Sequence, residues 1–166
     1  MILGFAHPCI VVPDANQAKL FYEQMFGFVV NSEEQWSNVD QVDAAIGVSN
    51  SAVSGFMMKG HNCFLEIHQY LSPAASEIGP KDFNANELGI RHLAFLVDDC
   101  FAELKRLQAL GGSEIGEPVE VAEGVFSVYC RDPFGNIIEM CEPVTLSENL
   151  TSLVGVNCHS DFSGDE

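Results

Sequence analysis

Two stretches of this 166-residue chain read as copies of one module, which restricts the fold to a paired architecture. The first opens Phe5-Ala6-His7-Pro8-Cys9-Ile10-Val11-Val12-Pro13-Asp14, the second Ile90-Arg91-His92-Leu93-Ala94-Phe95-Leu96-Val97-Asp98-Asp99. With His7 laid on His92, the helical run of each copy ends on an aligned glycine, Gly27 against Gly112. Each copy closes on an apolar strand centred on a carboxylate: Phe64-Leu65-Glu66-Ile67-His68 and Asn136-Ile137-Ile138-Glu139-Met140. A carboxylate inside an apolar strand is costly unless something compensates its charge. Two such carboxylates and two histidines at matched places suggest one shared cation.

The pattern between these landmarks gives each module the order βαβββ. Residues 5–12 form an apolar run stopped by Pro13-Asp14. Asp14 is a good N-cap with Gln17 as its capping-box partner, and a helix follows from Ala15 to Phe26. Ala18, Phe21, Tyr22 and Met25 share one helical face. Phe28-Val29-Val30 resumes as a strand, and residues 53–59 and 62–71 read as a hairpin. Within 35–49, helical spacing of Val39, Val42, Ala45 and Ile46 predicts a short helix or lid. In the second copy the spacing predicts a strand at 90–97 and a helix over 100–110 with Phe101, Leu104, Leu107 and Leu110 on one face. Strands at 113–121, 124–131 and 136–142 follow, with a tight turn at 132–136. The modules span 1–71 and 89–143, joined by a Pro-, Gly- and Asn-containing linker at 72–88, with an acidic tail at 144–166. A single such sheet cannot cover both its faces, so two should pack together in an α+β fold.

A hydrophobic content of 47% with 19% charged residues describes a globular chain. No apolar run reaches the length of a membrane span, and the N-terminus lacks the basic and apolar regions of a signal peptide. The net charge of −17 argues against nucleic acid or an anionic membrane as partner, because phosphate contacts need clustered Lys and Arg. It favours solubility and suits cationic ligands or metals. None of the six cysteines forms a C-x-x-C pair, so they read as reduced thiols of a cytoplasmic protein.

His7 followed by Val12-Pro13-Asp14 and a helix ending Phe21-Tyr22 and Phe26-Gly27-Phe28, together with Asp132-Pro133-Phe134-Gly135-Asn136-Ile137-Ile138-Glu139, resembles the vicinal oxygen chelate superfamily. That group holds glyoxalases, bleomycin-resistance proteins and extradiol dioxygenases, and the resemblance covers residues 4–142. It implies that the two modules form a cupped, partly open mixed β-barrel with a metal inside, held by His7, Glu66, His92 and Glu139. Two imidazoles and two carboxylates suit one divalent Mn, Fe, Co, Ni or Zn ion. A closed structural zinc site would more often use Cys. His68 lies two residues from Glu66, on the same strand face, and could replace it as ligand, support it from behind or shuttle a proton. His61 and His159 read as solvated. Trp36, Phe56, Met57, Met58, Tyr70 and Phe126 are candidates for the wall of a substrate pocket.

The resemblance implies a metal-dependent, glyoxalase-like lyase or isomerase, with proton transfer next to a metal-bound carbonyl of a small substrate. Glu139 or Glu66 would be the base. The family's bacterial glutathione-binding Arg and Asn are replaced here by Val11 and Tyr70, so a glutathione conjugate is disfavoured. Two alternatives stay open. An Fe(II) extradiol dioxygenase would use two His and one Glu, and Glu66 is then one ligand too many. A bleomycin-resistance-type binder of a cationic drug suits the acidic charge, but such binders usually lack the ligands. Family members commonly pair, which implies a homodimer.

Overall fold

The computed structural model describes residues 4–76 and 78–143. The first module runs β1 (Cys9–Val11), α1 (Ala15–Phe26), β2 (Val29–Ser37), α2 (Asp40–Ile46), β3 (Ala52–Lys59) and β4 (Phe64–Ser72). The second runs β5 (His92–Leu96), α3 (Cys100–Ala109), β6 (Ser113–Glu114), β7 (Val119–Ala122), β8 (Val125–Arg131) and β9 (Ile137–Cys141), after a 3-10 turn at Pro80–Asp82. The acidic tail expected at 144–166 lies outside the described residues, as do Cys158 and His159.

Local chemistry accounts for the helix boundaries. The Asp14 side chain accepts from the Gln17 N–H at 3.0 Å, and Gly27 ends α1 in the left-handed region at φ 67°. Asp99 caps α3 by accepting from the N–H groups of Phe101 and Ala102, both at 2.9 Å. The two aligned glycines turn out to do different work. Gly111, at φ 94°, takes the left-handed turn after α3. Gly112 instead allows a close approach, since a Cβ there would lie 2.6 Å from the Arg131 carbonyl oxygen.

Three expected strands differ in extent. The run at 5–12 shortens to Cys9–Val11, so His7 precedes the strand. Pro8 has no N–H to give the ladder, although its carbonyl accepts from Glu66 N at 3.0 Å. The strand at 28–30 starts at Val29 and extends to Ser37, and the short helix expected within 35–49 follows it at Asp40–Ile46. The strand at 113–121 divides into β6 and β7, which flank Gly116-Glu117-Pro118, because Pro118 cannot donate to β8.

The described strands form two sheets ordered β1-β4-β3-β2 and β5-β9-β8-β6, with β7 also on β8. In each module the first strand is parallel to the last, Cys9 opposite Glu66 and Ala94 opposite Glu139. Each histidine therefore lies two residues before the partner of its module's glutamate. The sheets do not pair with one another, so no closed barrel forms among the described residues. The modules are locked through the helix side. Phe26 stacks on Phe95 at 3.9 Å between centroids. The Tyr22 hydroxyl donates to Asp132 Oδ2 at 3.0 Å, and Arg106 donates to the carbonyls of Gln24 and Met25. Asp132 is buried and also accepts from Phe134 N, Asn136 N and Asn136 Nδ2. Burial holds its carboxyl above the usual aspartate value despite these bonds.

Candidate metal centre

Strand alternation sorts each sheet into a helix-side face and an open face. Ile10, Val12, Phe56, Met58, Leu65 and Ile67 are core residues of the first module, as are Val128, Cys130, Ile138 and Met140 of the second. The opposite parity places Cys9, Glu66, His68 and Tyr70 on the first open face, joined by Glu34 and Trp36 through register with Gly55 and Val53. The second open face carries His92, Glu139, Ser127 and Tyr129, with Tyr129 directly opposite Glu139.

Strand parity divides the six pocket-wall candidates equally between the two faces. Trp36 and Tyr70 are on the open face. Phe56 and Met58 are not: both are buried in the helix-side core, with the Lys19 ammonium 5.3 Å from the Phe56 ring centroid. Phe126 also faces the helix side, 5.3 Å from Phe101 of α3. Their apolar character marked them for a pocket, and strand parity assigns them to packing. Met57 keeps open-face parity, opposite Glu66.

In the first module His7 Nε2 lies 3.7 Å from Glu66 Oε1. His68 Nε2 lies 3.4 Å from the same oxygen and 3.2 Å from Glu34 Oε2. His68 is buried, with the Trp36 ring edge-on at 5.1 Å. Trp36 is fixed in turn by its Nε1 donation to Ser51 Oγ at 2.8 Å, and Ser51 donates to Asp43 Oδ1 at 2.5 Å. Gly55 makes the space for His68, since a Cβ there would sit 2.9 Å from His68 Cδ2 and against the Ile67 carbonyl. Cys9, Glu66 and His68 bring one donor atom each within 4.8 Å of one another. Burial and then the hydrogen bond to Glu66 push the Cys9 thiol up, keeping it protonated in the absence of a cation.

In the second module His92 Nε2 lies 3.2 Å from Glu139 Oε2, and Ser127 donates to Glu139 Oε1 at 3.0 Å. The Tyr129 ring lies 5.0 Å from that of His92, and its hydroxyl is raised in pKa by burial and then by the Glu139 charge. The structure thus pairs His7 with Glu66 and His92 with Glu139. Among the described residues no three of these four bring donor atoms within 4.8 Å of one another. Glu34, Ser127 and Tyr129 were not legible as site residues. Glu34 enters only because β2 continues past Val30, and Ser127 and Tyr129 enter only through the β8–β9 register.

A cleft of about 470 Å³ runs beside the edge strands, lined by Pro8, Cys9 and Val11 on one side and by Arg91, His92 and Ile137 on the other. By residue type the donor set suits a divalent ion: one imidazole and one carboxylate are brought together in each module. Two βαβββ-derived modules with a histidine–carboxylate pair in each define a paired-module protein. The chain belongs to the Glyoxalase/Bleomycin resistance protein/Dioxygenase superfamily, whose model matches residues 4–140.

Similar solved structures include a glyoxalase family protein from Bacillus cereus, at 22% identity and TM-score 0.78 over 86% of this chain and 95% of that one. The fosfomycin resistance protein FosX from Listeria monocytogenes, complexed with Mn(II) and sulfate, matches at 20% identity and TM-score 0.52, over 90% of this chain and 99% of that one. A glyoxalase I mutant from Zea mays matches at 17% identity and TM-score 0.55, over 84% of this chain and 45% of that one. These likenesses show the fold. No curated protein matches. No helix among the described residues is long and apolar enough to cross a membrane.

Proposed function

We propose that the protein is a divalent-metal-dependent lyase or isomerase that moves a proton at a carbon next to a metal-bound carbonyl of a small substrate. The observation that carries this is the repetition of one histidine–carboxylate pair at the same register position in both modules, at 3.7 Å and 3.2 Å. His7, Glu66, His92 and Glu139 would hold the ion, which supplies Lewis acidity to an oxygen beside the reacting carbon. Mn(II) in FosX and the glyoxalase likeness support this chemistry by analogy alone.

The two carboxylates have different surroundings, which suggests different work. Glu66 faces two histidines and Cys9, a crowded setting suited to holding a ligand still. Glu139 keeps one oxygen on His92 and the other on the small, rotatable Ser127 hydroxyl. It is the better candidate for the base that takes a proton and returns it. The protein should act as a homodimer. Edge strand β2 is mostly exposed, Val29, Val30, Val119 and Val121 are exposed apolar residues near strand edges, and unpaired edges need cover.

The test combines metal analysis with solvent deuterium exchange into 2-oxo thiohemiacetals, acyl thioesters and keto acids. About one ion per chain and exchange that needs both the ion and Glu139 would support the proposal. Oxygen uptake with ring cleavage of a catechol would replace it with a dioxygenase. Tight binding of a cationic drug without turnover would replace it with a sequestering protein.

A further inference from the structure

We propose that the first module by itself holds a soft divalent ion such as Zn(II), with Cys9, Glu66 and His68 as ligands. One donor atom from each of the three lies within 4.8 Å of the other two. This site needs neither His92 nor Glu139, so it goes beyond the proposed function. It is built by one sheet. The parallel register of β1 and β4 sets Cys9 opposite Glu66, and strand alternation returns His68 to the same face. Register through Gly55 brings Glu34 of β2 alongside His68.

The spacing is that of ligands around a common ion. His68 Nε2 carries at most one hydrogen, yet it faces Glu66 Oε1 at 3.4 Å and Glu34 Oε2 at 3.2 Å. N–H···O bonds span about 2.7–3.2 Å. Two N or O ligands at about 2.0–2.1 Å from a tetrahedral ion lie roughly 3.3 Å apart. The separation of His68 from Glu66 falls near the second value. Both carboxylates are partly buried, and among the described residues no Lys or Arg is ion-paired with either. Two such charges side by side repel, and a divalent ion between the donors compensates both.

The thiol decides which ion. Thiolate and imidazole together select Zn(II) or Co(II) over Mg(II), Ca(II) and Mn(II). Three protein ligands leave a fourth position open for water, as in catalytic zinc sites. Cys9 is exposed and lines the cleft, which gives an ion a way in. His68 is held in place from behind by the Trp36 ring and fills the space left by Gly55, so its imidazole is positioned before the ion arrives.

The test titrates Co(II) into the full chain after EDTA treatment and dialysis, with the absorption spectrum as readout. Wild-type protein should develop a sulfur-to-cobalt charge-transfer band that saturates at about one ion per chain. Cys9→Ser should lose the band, and His68→Gln should weaken Co(II) binding by about 10-fold or more. His92→Ala should keep the band at unchanged affinity. No band in the wild type, or a band that survives Cys9→Ser and so belongs to another cysteine, would overturn the proposal. Iodoacetamide alkylation of the wild-type chain, mapped by mass spectrometry, decides even if the variants fail to fold. Zn(II) should slow modification of Cys9 by about 10-fold, and Mn(II) should not. Equal protection by both ions, or by neither, would overturn the proposal. Mn(II) binding uses no thiolate and is measured separately. Its absence with the cobalt band intact would count against the proposed function alone.

Discussion

At the scale of single residues, the difference between the two glutamates lies in their neighbours. Ser127 donates to Glu139 at 3.0 Å, while Glu66 is met by His7 and His68 at 3.7 Å and 3.4 Å. Ser127→Ala removes one orienting bond and should lower turnover or metal affinity by about 10- to 100-fold. Glu139→Gln should cost more, about 100- to 10,000-fold in exchange rate, because no other described group is paired to act as base there. Metal content should fall less, since an amide oxygen still coordinates. Both values come from exchange kinetics and metal analysis on the same preparations, and equal losses in the two variants would remove the distinction drawn between ligand and base.

At the scale of elements, α1 does two jobs. Its buried face of Ala18, Phe21, Tyr22 and Met25 covers the first sheet, while the Tyr22 hydroxyl crosses to the buried turn after β8. The Asp132 carboxylate already accepts three bonds within its own turn, at 2.9, 2.8 and 2.7 Å. Tyr22→Phe therefore leaves Asp132 partly satisfied but deprives it of the bond that joins the modules. The expected loss is about 1–3 kcal/mol, read as a lower urea midpoint with an unchanged slope. A changed slope would mean that the modules had separated and now unfold independently.

At the scale of the whole molecule, the question is which two half-sites work together. The cleft is lined by residues of both modules of one chain, Cys9 and His92 among them. The Phe26–Phe95 stack and the Tyr22–Asp132 bond fix those modules against each other. Each chain should therefore complete its own site within a dimer. His7→Ala and His92→Ala chains, co-expressed with different tags and purified as mixed dimers, should remain inactive. Restored activity would mean that each site takes its halves from two chains. Light scattering at micromolar concentration checks the dimer itself, and a monomer there would contradict it.

The repeat, the helix caps and the closing Asp132-Pro133-Phe134-Gly135-Asn136 turn were legible because each is a local pattern. Asp14 and Asp99 cap whatever helix follows them, and the matched His and Glu positions need only alignment of the chain with itself. Strand parity was equally present in the sequence, but its sign was not. Whether Phe56, Met58 and Phe126 face a pocket or a helix depends on which side α1 and α3 pack, a choice made by burial over the whole sheet. Glu34 and Tyr129 reach the site through pairing with strands distant in sequence, so only the registers of β2–β3 and β8–β9 could place them. Sequence fixes the chemistry that each residue carries, while packing decides which of those chemistries meet.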